Sequence, residues 1–174
     1  NGTKAVSAAL RERVLAAVEE TGYEANLVAR GLKSGRTNAI SVIVPSITSV
    51  FFPAALRGMQ LCAARAGYSL SIYETQEDFS LERRCIRQIK NQWADGVIIA
   101  TCAEADAGDY FSELAALTVN GRRIPAVGLE SSPGGKLDAV VVDNRGAAAD
   151  MTSYLIAQGR RRIAHISGPL RAHI

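Results

Sequence analysis

Hydrophobic and polar positions follow two different rhythms along this chain, and the change falls near residue 38. Over residues 7–21, Leu10, Val14 and Val18 recur every fourth position, Ser7 is placed to cap the first turn and Gly22 to stop the last, the pattern of one amphipathic helix. Asn26 is a second candidate cap, opening the short segment Leu27-Val28-Ala29-Arg30-Gly31-Leu32, and residues 34–38 have linker composition. From residue 39 the apolar runs shorten. Residues 40–44, ended by Pro45, read as a buried strand; 51–66 read as a helix closed by Gly67, and 69–73 as a second strand. Leu81, Cys85 and Ile89 carry a helix to Trp93, 96–100 form a third strand, 109–117 another helix and 126–129 a fourth strand. A fifth strand over 139–142, a helix over 146–157 and a sixth strand over 163–166 complete the series. Short β-rich runs alternating with helices of ordinary length predict an α/β fold: right-handed βαβ units on a parallel sheet covered on both faces. Two parts are expected, 1–37 and 38–174.

With 174 residues, 48% hydrophobic and 21% charged, the composition is globular and leaves room for a small appendage beside one core. The helix over 7–21 and its neighbours cannot bury much core alone, which predicts partners upstream. A net charge of +3 is too small to announce a nucleic-acid binder, but its placement changes the picture. Arg30, Lys33 and Arg36 lie in an acid-free stretch over 27–37, and Arg160, Arg161 and Arg162 form a second cluster; solvated surface and phosphate contact are both open readings of each. Three cysteines without close spacing (Cys62, Cys85, Cys102) argue against a disulfide framework or zinc site and for reduced, mostly buried thiols. No apolar run nears the roughly 20 residues a bilayer span needs, and no leader pattern opens the chain, so a cytoplasmic protein with no membrane partner is expected.

Candidate chemistry falls at the strand ends. After the first strand Pro45-Ser46-Ile47-Thr48-Ser49 stands where a dinucleotide fold would carry Gly-x-Gly-x-x-Gly, and neither P-loop nor nucleophile-elbow spacing occurs. His165 reads as a core histidine of the sixth strand, His173 has no carboxylate beside it, and Glu130 with Asp143 is the one carboxylate pair worth naming. An enzyme is the poorer reading, and no metal or cofactor is expected. Sheets of this class bind ligands beyond the carboxyl ends of their strands. Those ends hold Pro45-Ser46, Glu74-Thr75, Thr101-Cys102, Glu130-Ser131 and Asp143-Asn144-Arg145, with Phe51 and Phe52 as an aromatic wall, a set suited to a small polyhydroxylated or otherwise polar ligand. The residues alone leave a second reading open, in which they merely open helices and Asp143 and Asn144 are caps.

Order and spacing of several short motifs point further. Val6-Ser7, then Arg11-Glu12-Arg13-Val14-Leu15-Ala16-Ala17 and Gly22-Tyr23, resemble the third headpiece helix of the lactose-repressor (LacI/GalR) family of bacterial transcriptional regulators. Asn26-Leu27-Val28-Ala29-Arg30-Gly31-Leu32 is similar to that family's hinge pattern, Asn-x-x-Ala-Arg-x-Leu, and Gly35-Arg36-Thr37 and Phe51-Phe52 with Leu56-Arg57-Gly58 continue it. Asp95-Gly96-Val97-Ile98, Val142-Asp143-Asn144 and the run over 159–169 complete a likeness that covers nearly the whole chain. It departs from the family at Glu24-Ala25, where a proline often precedes the hinge asparagine, and at Gly31, which replaces a better helix former.

The resemblance implies a Rossmann-like lobe of the periplasmic-binding-protein type, the first lobe of an effector domain, preceded by the end of a DNA-binding headpiece, a hinge and a linker. A helix-turn-helix before Asn1 and a second lobe after Gly168-Pro169 are expected with it. It implies operator DNA, a sugar-like small-molecule effector and a second copy of the chain (a homodimer) as partners. Asn26, Ala29, Arg30, Leu32 and Lys33 would form the hinge contact, with Leu32 wedged between bases in the minor groove and Arg30 and Lys33 on groove or phosphate. A hinge of about seven residues is far below the roughly 12 to 15 a lone helix needs, so it should form only on DNA beside its partner. Effector contacts are expected from Ser46, Phe51, Phe52, Thr101, Glu130, Asp143, Asn144 and Arg145, on their strand-end positions and, for Phe52 and Asp143, on the likeness. The competing reading is the first lobe of a sugar-binding transport receptor, which would lack residues 7–37.

Overall fold

In the computed structural model, residues 6–23, 35–103, 107, 109–130 and 135–166 are described. They belong to two compact units, Asn1–Thr37 and Asn38–Ile174.

The first unit is built on helix α1 (Ala8–Thr21), with the ends its sequence anticipates. The Ser7 hydroxyl accepts the Leu10 N–H at 3.4 Å, and Gly22 takes a left-handed conformation (φ 59°) that returns its N–H to Glu19 and Val18. None of its residues is buried; Leu10, Val14 and Leu15 are each about half exposed.

The second unit holds a five-stranded parallel sheet of β1 (Ala39–Val44), β2 (Ser69–Glu74), β3 (Gly96–Ile99), β6 (Ala126–Leu129) and β7 (Asp138–Val140), in the order β2-β1-β3-β6-β7. Helices α2 (Phe52–Arg65), α3 (Phe79–Asn91), α4 (Tyr110–Ala115) and α5 (Asn144–Ala157) connect or follow them. Strand alternation sorts the core onto two faces. Val42 and Val44 pack with Leu56 of α2, while Ile43, Val97 and Ile99 join Cys85, Ile86 and Ile89 of α3 and Phe111 and Leu114 of α4 on the other side. The α/β class with a parallel sheet is as the sequence predicts.

Three details differ from that prediction. Helix α4 stops at Ala115, and a small antiparallel hairpin, β4 (Thr118–Val119) and β5 (Arg122–Arg123), follows it. It turns at Asn120 (φ 50°) and Gly121 (φ 73°), a pair that accepts two left-handed positions at little cost. The expected sixth strand is absent: residues 161–166 form no ladder, and Ile163 and Ile166 are 41% and 97% exposed. An apolar run becomes a strand only where an edge accepts its hydrogen bonds, and among the described residues no strand edge pairs with this one. His165 is accordingly exposed rather than a core histidine. Helix α5 has no buried residue, so the cover on both faces comes from α2 on one side and α3 and α4 on the other.

Candidate functional site

All five strands of the sheet run parallel, so their carboxyl ends share one edge. Counting within this sheet, the order is 2-1-3-4-5, in which the chain reverses direction between β1 and β3; the crevice outside that switch point is where such sheets take ligands. Ser46, Phe51 and Phe52 follow β1, and Thr101 follows β3, so the topology brings these four to the switch point. Glu130 follows β6, and Asp143, Asn144 and Arg145 follow β7, further along the same edge.

At the β1 end, the Ser46 hydroxyl lies 3.0 Å from that of Thr48 and accepts the Thr48 N–H at 3.2 Å. The loop is held from β2, where Glu74 Oε1 accepts the Ile47 N–H at 2.9 Å. Ser49 accepts the Phe52 N–H at 3.2 Å, just ahead of α2. Phe51 and Phe52 meet edge to face at 5.2 Å; Phe52 reaches the core beside Leu56, whereas Phe51 is 43% exposed. Of the two rings, Phe51 is the one a ligand can reach more fully.

At the β3 end, a residue not singled out from the sequence organises the loop. Glu82 of α3 has no exposed surface, yet its carboxylate is fully partnered. Oε1 accepts the Thr101 hydroxyl at 2.6 Å and the Tyr110 hydroxyl at 2.5 Å; Oε2 accepts the Cys102 N–H at 2.7 Å and its thiol at 3.0 Å. These bonds replace the water a buried carboxylate loses. Burial and then the neighbouring Glu82 push the Cys102 thiol up to about 12, and the same two causes raise the Tyr110 phenol. A signal for Glu82 was present: it shares the i, i+3, i+4, i+7 stripe with Cys85, Ile86 and Ile89, and an acid on an apolar stripe needs donors inside.

At the far end of the edge, Asp143 Oδ1 accepts the Gly146 N–H at 2.8 Å and caps α5, while Glu130 donates its backbone N–H to Val140 at 2.8 Å. A side chain at residue 146 would collide with the Asp143 carboxylate, so glycine there leaves the cap its room. Asp143, Asn144 and Arg145 are exposed, and Glu130 is half-buried. Asn26, Ala29, Arg30, Leu32 and Lys33 lie outside the described residues. Among the described residues no group of three or more histidine, cysteine or acidic side chains gathers as a metal site, and no helix is long and apolar enough to cross a membrane. The three cysteines are free, and Cys62 is exposed, contrary to the expectation of mostly buried thiols. A pocket of about 430 Å³, lined by Arg123, Pro125, Lys136 and Asp138 among others, opens at the amino ends of β6 and β7, away from this edge. It gathers none of the strand-end residues.

Comparison with known proteins follows the same lines. Residues 37–172 match the family described as periplasmic binding proteins and sugar binding domain of LacI family. The chain is 31% identical over 164 residues to a ribose operon repressor of Halalkalibacterium halodurans, covering 94% of this chain and 46% of that protein. A LacI-family transcriptional regulator from Silicibacter pomeroyi superimposes with a TM-score of 0.69 at 31% identity, over 91% of this chain and 46% of the other. A LacI-family regulator from Lactobacillus casei with bound glucose does so with a TM-score of 0.58 at 27% identity, over 71% of this chain and 44% of the other. The chain thus spans about half the length of the relatives it matches. A 2-1-3-4-5 parallel sheet with a polar carboxyl edge and a family match over residues 37–172 together place it: the chain belongs to the family of periplasmic binding proteins and LacI-type sugar-binding domains.

Proposed function

We propose that this chain is part of a LacI-type transcriptional repressor, with residues 38–174 as the first lobe of its effector domain and residues 1–37 as the end of its headpiece, hinge and linker. The observation that carries this reading is the separate unit over 1–37, whose capped helix α1 precedes a sugar-binding-type lobe. A transport receptor has no use for such a unit, and the ribose operon repressor is similar over 94% of the chain, which includes part of it. In this reading the protein is a cytoplasmic homodimer without catalytic activity. Two hinge segments pair on operator DNA, with Leu32 as the intercalating wedge and Asn26, Ala29, Arg30 and Lys33 around it.

The effector is a small sugar held along the carboxyl edge by Ser46, Phe51, Phe52, Thr101, Glu130, Asp143, Asn144 and Arg145. Two observations support the sugar class: the edge is polar without metal-ligand clusters among the described residues, and the Lactobacillus casei neighbour holds glucose. Coupling of operator and effector is reciprocal and typically about 1 to 3 kcal/mol, or roughly 5- to 150-fold in affinity. Fluorescence anisotropy of the intact protein on DNA from upstream of its own gene, titrated with D-ribose and D-glucose, tests the reading. It expects nanomolar-range DNA binding that one of the sugars shifts at least about fivefold. DNA affinity at the non-specific level, unchanged by either sugar, would falsify it.

A further inference from the structure

We infer that Glu82 fixes the hydrogen-bonding polarity of Thr101, so that the β3 end of the site takes a ligand hydroxyl and disfavours carboxylate or phosphate oxygens; this rests on the reading of the carboxyl edge as the effector site. The argument is one of lone pairs. A carboxylate only accepts, and Glu82 takes four donors, two on each oxygen. The Thr101 hydroxyl proton is therefore directed inward, to Oε1 at 2.6 Å. Its oxygen also accepts the Ala103 N–H at 3.0 Å, which leaves one lone pair and no proton for a ligand. Thr101 is only half-buried, and in the inferred subsite that lone pair is on the ligand side. An incoming hydroxyl can donate to it; a carboxylate or phosphate oxygen would set acceptor against acceptor, with the Glu82 charge just behind. Arg83, on the same helix, is engaged elsewhere. It lies over the rings of Phe79 and Tyr110, at 5.9 and 5.5 Å, and pairs with Glu113 at 3.2 Å.

The geometry also says how to reverse the polarity without changing the shape. In Glu82→Gln, the Cys102 backbone N–H remains an obligate donor 2.7 Å from Oε2, so the amide oxygen must take that side. The amide NH2 then occupies the place of Oε1 and donates to Thr101. With Ala103 N–H on its other lone pair, the Thr101 hydroxyl must turn its proton outward, and the subsite becomes a donor.

Calorimetric titration of the intact protein with D-glucose, D-glucuronate, D-ribose and D-ribose 5-phosphate reads this directly. The wild type should bind a neutral sugar at least about tenfold more tightly than its anionic counterpart, the worth of one hydrogen bond to a charged group. Glu82→Gln should narrow that ratio to near one or invert it, and Thr101→Val, which removes the hydroxyl at constant shape, should also narrow it. If Glu82→Gln weakens neutral and anionic ligands by the same factor, or Thr101→Val keeps the wild-type ratio, Glu82 is only a structural brace and the inference fails while the effector reading stands. A wild type that binds none of the four would remove the sugar-effector reading, and the inference with it.

Discussion

Burying a carboxylate costs several kcal/mol unless its hydration is replaced, and at Glu82 the replacement comes from the loop after β3 and from helix α4, which it thereby ties together. The same carboxylate shapes the chemistry of its neighbour. Desolvation, then the hydrogen bond to Glu82, move the Cys102 thiol from its ordinary 9.0 up to about 12. A raised folded-state value means that folding favours the neutral thiol. The resulting stability is complete below about pH 9 and is lost as pH rises toward 12. Urea midpoints should therefore fall between pH 8 and pH 11, and Cys102→Ala should shrink the fall. Iodoacetamide at pH 8.5 should label exposed Cys62 first and Cys102 at least about tenfold more slowly, since the thiolate is the reactive form. Peptide mass mapping over time reads both sites, and Glu82→Gln should quicken Cys102.

Helices α1, α3 and α5 each begin on a short polar side chain that satisfies backbone groups. Ser7 and Gly22 bound α1, and Asp78 opens α3 by accepting the Ser80 N–H at 2.7 Å; the Ser80 side chain first, and then this backbone bond, lower the Asp78 carboxyl below its usual range. Asp143 does the same for α5, so its place at the strand-end edge coincides with a capping role. The two roles separate by substitution. Asp143→Ala should cost about 1 kcal/mol of stability through loss of the cap, whereas Asp143→Asn, an equally good cap, should cost nearly nothing. If Asp143 also touches effector, both substitutions should weaken effector binding in calorimetry. Loss of affinity in Asp143→Ala alone would mean that only the cap matters.

At the scale of the molecule, apolar surface is unevenly distributed. The sheet, α2, α3 and α4 hold the core, while α1 and α5 bury nothing; Met151 and Tyr154 of α5 are 61% and 60% exposed. The proposed repressor role puts the functional weight of residues 1–37 on DNA rather than on a core of their own. Leu32→Ala should then lower operator affinity and reduce DNA bending, because the lost wedge no longer offsets unstacking of a few kcal/mol. The melting temperature of the effector domain should not change. Arg30→Ala should flatten the slope of log affinity against log salt by roughly one phosphate contact. A Leu32→Ala protein that melts lower yet bends its operator fully would assign Leu32 to packing instead.

What the sequence determined by itself is local. Apolar period and end signals are properties of neighbouring residues, so Ser7, Gly22 and Gly67 marked their boundaries, and the runs over 40–44 and 96–99 became strands. Parallel pairing followed from the alternation of strand and helix, and with it the polar edge that collects Ser46, Thr101, Glu130 and Asp143. Tertiary structure decided what depends on distant partners. Residues 163–166 are as apolar as the true strands but found no edge to pair with. Asn120-Gly121 carried a hairpin signal hidden by flanking strands of only two residues each. Glu82 stands on the apolar stripe of its helix, but only the fold brings Thr101, Cys102 and Tyr110 around it, 19 to 28 positions away, and makes a buried charge tolerable.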